Sequence, residues 1–366
     1  MLPIQTTSSD VACNGTFNCS SGHLDEKAVK NDPRVKWILS RETYFTIEKY
    51  IKVSTLILSV IALILNSLNI SVFVSQDRNS TKYYLMAISI VDIIYAAVEC
   101  FESIYIMVMA NESLFSYGFR LYTSLYLKPV LLRSINCLIV LVSIERLLVV
   151  VYPLKAKDFI FMRRPKSIMV MVILAVLLFH IFSPLRFTIT STTDPTQNLT
   201  SLTVGYSQLF RQNPALMRGM STASKVIFVY TLLIGGLILN LLVVCVLKRH
   251  SKKRQEMKTT TDADKAARRE RQTTITIVTS SSVYLFLSLP LATTSILNNM
   301  IPDVFGRNKP AYYVYLLMEK LGSALMDLSM STDFVSYLFL STSFRTSLFS
   351  ILHIKRRNVQ ANRRAS

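Results

Sequence analysis

Apolar residues in this chain occur in long, nearly unbroken runs separated by short polar segments, with neither strict alternation nor narrow helical stripes. Seven such runs, near residues 51–75, 83–109, 121–151, 167–187, 223–247, 272–298 and 312–340, are long enough to cross a hydrocarbon core, which takes roughly 20 helical residues. No internal repeat divides them into homologous halves, as it does in many transporters. The first fifty residues contain no apolar stretch followed by a small-residue cleavage site, so the first helix is expected to serve as its own insertion signal. The pattern predicts an all-α membrane protein: a polar amino-terminal tail over 1–50, a seven-helix bundle over 51–340 and a short tail over 341–366.

Composition agrees, with 51% hydrophobic and only 17% charged residues, too apolar for one soluble core. The net charge of +19 would suit nucleic acid if it formed a patch, but the basic residues sit in loops between apolar runs. With the amino terminus outside, 23 of the 41 Lys and Arg fall in the cytoplasmic loops and tail, as the positive-inside rule requires. Glycosylation sequons at Asn14, Asn18, Asn111 and Asn198 then all lie outside, while Asn69 and Asn79 fit the same pattern within the membrane and on the inner face. The expected location is the plasma membrane, multi-pass, with an extracellular amino terminus and a cytoplasmic carboxyl terminus. Membrane lipid is one expected partner and nucleic acid is not.

The third run interrupts itself. In VLVSIERLLVVVYPLKAK, from Val140 to Lys157, adjacent Glu145 and Arg146 precede a basic loop, and a charge at a bilayer centre costs about 2.5–3.5 kcal/mol on insertion scales. This stretch resembles the Asp/Glu-Arg-Tyr region and second intracellular loop of rhodopsin-like (class A) G-protein-coupled receptors, with Leu147 in place of the usual aromatic residue. Other helices extend the resemblance: Asn66 in the first, Asp92 in the second, Pro290 in the sixth, and Asp333-Phe334-Val335-Ser336-Tyr337 in the seventh, where Phe334 takes the slot of the family's proline. Phe344-Arg345 falls where the family begins a short amphipathic helix on the membrane surface. Departures are also plain. Trp37 is the only tryptophan, so Ser288 occupies the position of the sixth-helix Trp toggle, which points to packing around Tyr284 and Phe286 instead. None of the five cysteines lies in the second extracellular loop, so the family's usual disulfide cannot form. Cys13 and Cys19 could close a small loop or stay unpaired, and Cys100, Cys137 and Cys245 lie in apolar helices as packing residues.

The resemblance implies a receptor that activates a heterotrimeric G protein when an extracellular ligand shifts a two-state bundle. Arg146 would engage the G protein; Glu145, and Glu270 on the sixth helix, would restrain it, and Pro290 and Tyr337 would belong to the same switch. Asp92 and Asp333, with Asn66 and Ser329, would form a polar pocket holding a sodium ion or a shared proton, and Ile135 replaces a Ser that commonly helps bind sodium. Lys128 falls where amine receptors carry an amine-binding Asp, so the charge is reversed. With Arg133, Glu99, Glu102 and Asp327 it suggests a ligand pocket for a peptide or small anionic molecule, unless Lys128 pairs internally with Asp327 or Glu102. The wording of the second loop and of the seventh-helix motif looks most like invertebrate neuropeptide (FMRFamide-type) and chemosensory receptors. The tail has no Cys for palmitoylation, and Thr259 to Thr261 are candidate regulatory sites. An enzyme is not expected: His23, His180, His250 and His353 are scattered and no catalytic spacing is present. A transporter or ion channel is the alternative, since buried charges also mark ion pathways.

Overall fold

The computed structural model describes residues 38–76, 79–108, 118–119, 121–152, 155–194, 199–256, 262–305 and 309–352. Seven long helices follow one another: α1 (Arg41–Ser75), α2 (Ser80–Val108), α3 (Thr123–Val151), α4 (Pro165–Leu185), α5 (Pro214–Lys225 continuing through Val226–Thr231 and Leu232–Glu256), α6 (Asp262–Met300) and α7 (Tyr312–Leu340). A final short helix, α8 (Thr342–Ile351), begins at Ser341, whose hydroxyl accepts the Phe344 amide at 3.2 Å. Six of the seven are long and apolar enough to cross a membrane. The remaining one, α7, carries Glu319, Lys320, Asp327 and Asp333, and its 29 residues make it long enough for the same span.

The surface is inverted relative to a soluble protein. Ile57, Ile64, Leu174, Leu178, Leu241 and Phe339 are exposed, whereas Asn66, Asp92, Glu145, Asn240 and Asp327 are buried. Burying polar groups while exposing aliphatic ones lowers free energy only where the surroundings are lipid. The core runs through all the major helices except α5's outer turns, around Ile135, Leu138, Leu285, Met330 and Phe344. Aromatic contacts tie α8 to it: Phe344 meets Phe73 at 5.9 Å, Phe334 at 5.6 Å and Tyr337 at 5.6 Å between ring centroids.

Two features go beyond the all-helical expectation. Between α4 and α5, Phe187–Asp194 and Leu199–Tyr206 pair as an antiparallel hairpin with Phe187 opposite Tyr206. The β-branched, Thr-rich segments support it, and it caps the bundle's loop side without altering the membrane architecture. Secondly, α3 and α5 each contain a wide π turn, at Thr123–Leu127 and Val226–Thr231. In α3 the turn lies just before Pro129, which has no amide hydrogen to give the ordinary helical ladder.

Helices α6 and α7 pack with little tolerance. A Cβ built on Gly322 would sit 3.0 Å from the Leu291 Cα and 3.1 Å from its N and Cβ, next to Pro290, so even a methyl group would crowd the Leu291 backbone. Gly322→Ala is expected to destabilise the bundle by about 1–3 kcal/mol, read as a lower melting midpoint of the purified protein in detergent. An unchanged midpoint would contradict this packing.

Candidate functional site

At one end of α3, Glu145 and Arg146 are held by α2 through two small residues that the sequence reading passed over. Ser80 Oγ and Thr81 Oγ1 both donate to Glu145 Oε1, the latter at 3.1 Å, and Arg146 Nη2 donates to Thr81 Oγ1. Arg146 Nη2 lies 3.5 Å from Glu145 Oε1. Glu145 is fully buried, and Glu145 Oε2 and Arg146 Nε have no partner among the described residues. A buried charge pair with spare hydrogen-bonding capacity is strained toward any arrangement that satisfies it. The expected partner Glu270 is exposed and makes no ion pair with Arg146, although Arg146 lies within reach of its charge. The contact between α6 and the α7–α8 corner is made instead by Gln272, which donates to the Leu340 carbonyl at 2.8 Å and accepts from Thr342 Oγ1 at 3.1 Å. Tyr337 is buried against Phe73 at 5.4 Å.

The α6 core also differs from expectation. Tyr284 is buried and donates to Asn136 Oδ1 at 3.0 Å, and Asn136 Nδ2 donates to the Phe228 carbonyl at 3.3 Å inside the α5 π turn. Phe286, by contrast, is 68% exposed and faces outward, because two residues along a helix is about 200° of rotation. Below them Asn240 joins Ser143 of α3 at 3.0 Å to Ser281 and Ser282 of α6 at 2.9 and 3.0 Å. Ser288 returns its hydroxyl to the Leu285 carbonyl, and Thr294 bonds the Pro290 carbonyl at 2.7 Å.

Asp92 and Asp333 are close enough to repel each other, Ser280 donates to Asp333, and Asp92 Oδ1 is buried without a partner. The other residues of the expected pocket donate to backbone carbonyls and keep their oxygen lone pairs. Asn66 donates to the Met330 and Ala62 carbonyls at 2.9 and 3.1 Å, and Ser329 donates to the Met326 carbonyl at 2.6 Å. Ile135 is buried and apolar. Ile135 removes one ligand of the sodium arrangement that the resemblance implies, whereas a shared proton needs no ligand beyond the two carboxylates.

The region around Lys128, in the half of the bundle away from Arg146, reverses the expected sign. Lys128 Nζ lies 2.5 Å from Glu99 Oε2 and 2.5 Å from Glu102 Oε2. It is therefore neutralised within the protein, by Glu102 as one alternative held and by Glu99, and not by a direct pair with Asp327. Asp327 feels Glu99 as a repulsive and Lys128 as an attractive neighbour, yet among the described residues neither of its carboxylate oxygens has a hydrogen-bond partner. Thr123 adds a long bond to Glu102 at 3.4 Å.

Arg133 belongs to a different group. It is 9% exposed, and among the described residues no hydrogen bond or ion pair satisfies it. It repels Lys225 of α5, which also feels Arg186 at the end of α4 and is attracted by Glu319. His180, buried between the Val176 carbonyl and Ser224 at 2.7 Å each, sits in the same field. Arg186 rests over Phe187 and Phe210 at 5.4 and 5.5 Å. Nothing in the sequence flagged Lys225, Arg186 or Glu319, because none belongs to a recognisable motif and their proximity arises only when the helices pack.

Asn14, Asn18, Asn111, Asn198, Cys13, Cys19 and Thr259 to Thr261 lie outside the described residues. Cys100, Cys137 and Cys245 are free thiols, of which Cys100 is buried and Cys245 exposed.

The family model "7 transmembrane receptor (rhodopsin family)" matches residues 65–324. Among solved structures, the chain is similar to squid rhodopsin, with a TM-score of 0.63 and 13% identity over 86% of this chain and 89% of that one, a likeness of fold. No curated protein sequence matches it.

Proposed function

The chain belongs to the rhodopsin family of seven-transmembrane receptors, and on that premise we propose that it couples an extracellular ligand to a heterotrimeric G protein, with Arg146 as the residue that engages the G protein. It is a multi-pass membrane receptor and not an enzyme. The observation that carries the coupling assignment is the closed arrangement at Arg146, a buried guanidinium tethered to Thr81 and Glu145. Such a tether supplies a state that a ligand must overcome. Purified protein should accelerate nucleotide exchange on a G protein, and liposomes containing it should show no ion flux. Flux without exchange would favour the channel or transporter alternative.

Orientation follows from the basic loops: the amino terminus outside and the carboxyl terminus inside. Glycosidase treatment should lower the apparent mass of the expressed protein through Asn14, Asn18, Asn111 or Asn198, and glycosylation of the inner-face sequon at Asn79 instead would reverse the topology. The ligand is a peptide or small anionic molecule whose anionic group lies beside Arg133, since Lys128 is already neutralised. Kinship with invertebrate neuropeptide or chemosensory receptors rests on the wording of the second loop and the seventh-helix motif alone.

Asp92 and Asp333 share a proton in this reading. The melting midpoint should therefore be indifferent to replacing sodium by choline at constant ionic strength, and a sodium-specific rise abolished by Asp92→Asn would establish a sodium site instead.

A further inference from the structure

Helix α7 ends at Leu340, so the carbonyls of its last turn have no amide ahead of them in the same helix. Side chains serve them instead. Arg345 of α8 donates through Nη1 to the Leu338 and Phe339 carbonyls at 3.2 and 2.7 Å, and the Leu340 carbonyl is taken by Gln272 of α6 at 2.8 Å. The oxygen of the same amide is used as well, since Thr342 Oγ1, in the first turn of α8, donates to Gln272 Oε1 at 3.1 Å. One glutamine thus fastens α6 to both sides of the α7–α8 corner. Higher along the same seam Ser280 donates to Asp333 of α7, and beside Pro290 the close approach of Leu291 to Gly322 holds α6 against α7. A proline removes one rung of the helical ladder, so α6 bends most easily there. Gln272 lies about 27 Å along the helix from that point. A turn of about 10° carries it about 5 Å, further than either hydrogen bond can stretch.

We propose that Gln272 is the latch that keeps α6 closed, fastening it to the α7–α8 corner and not to α3, where Glu270 makes no ion pair with Arg146. Swinging α6 outward separates the amide from the Leu340 carbonyl and the Thr342 hydroxyl together, so the two bonds act as one unit. The latch itself stands on this geometry, and only its consequence for the G protein rests on the receptor reading above.

The test uses the purified full-length receptor in detergent micelles, with a fluorine-19 probe on Arg271→Cys, an exposed position beside Gln272, and with the exposed Cys245 replaced by Ser. The same protein without Arg271→Cys supplies the background signal. Gln272→Met keeps the side-chain length and deletes both bonds, so it should raise the population of a second resonance by at least about twofold. Thr342→Val, a milder change, should raise it less, and adding it to Gln272→Met should change nothing further. An unchanged spectrum in Gln272→Met, or a full added effect of Thr342→Val on top of it, would overturn the latch. Nucleotide exchange on a G protein should rise in parallel with the second resonance. A second resonance without that rise upholds the latch and removes the coupling, whereas a rise with an unchanged spectrum removes the latch and leaves the receptor reading standing.

Discussion

Thr81→Val should raise agonist-free nucleotide exchange, and adding Arg146→Ala to it should return exchange to the level of G protein alone. Thr81 both accepts from Arg146 and donates to Glu145, so its hydroxyl is the joint of the tether, and valine keeps the shape while deleting both bonds. Losing a coupling of about 1–3 kcal/mol between closed and open states corresponds to a shift of about 5- to 150-fold in their ratio. Arg146→Ala removes the group that would contact the G protein, so no gain in open-state population can restore signalling. Glu270→Ala, at an exposed residue without an ion pair to Arg146, should change basal exchange by less than about twofold. The measurement is nucleotide exchange at matched surface expression. Equal activity of Thr81→Val and wild type would place the restraint elsewhere, the Gln272 contact with Leu340 and Thr342 being the next candidate.

Lys128→Ala should be the most destabilising single change in the half of the bundle opposite Arg146. It removes the one cation paired with Glu99 and Glu102 and leaves three carboxylates facing one another with Asp327. Breaking a buried pair by deleting one partner costs about 3–5 kcal/mol. The readout is the melting midpoint and the fraction of receptor reaching the cell surface. Combining Lys128→Ala with Glu102→Gln should recover a substantial part of the loss, because the second change removes one of the stranded charges. Rescue by Asp327→Lys but not by Glu102→Gln would show that Lys128 serves Asp327, against the geometry. If Lys128→Ala left both readouts unchanged, the ion-pair assignment would fail.

The same residues show where sequence reasoning reached and where it stopped. Asp92 and Asp333 were legible as a pocket because an isolated acid in an apolar run has few places to go. The hydrogen bonds of Asn66 and Ser329, which both donate to backbone carbonyls of the bundle, were not legible there. Tyr284 and Phe286 were paired as core packing, yet the structure buries one and exposes the other. The phase of a helix with apolar residues on every side cannot be read from hydrophobicity, since lipid and core look alike to it. The Glu270 restraint required that its side chain face Arg146, and the rotation of α6 leaves Glu270 exposed instead.

Seven spans, their basic inner loops and the Glu145-Arg146 interruption follow from the sequence by itself, because the bilayer imposes one rule on every segment independently: enough apolar length, every backbone group bonded within its own helix, and charge kept to the ends or hidden for a reason. Partnership among the hidden charges was decided only by the tertiary structure. Lys128 with Glu99 and Glu102, Arg146 with Thr81, the orphaned Asp327, and Arg133 beside Lys225 and Arg186 join residues from different helices. Coulombic and hydrogen-bond energies change within a few ångströms, and those ångströms are set by helix rotation and depth, which linear spacing does not contain.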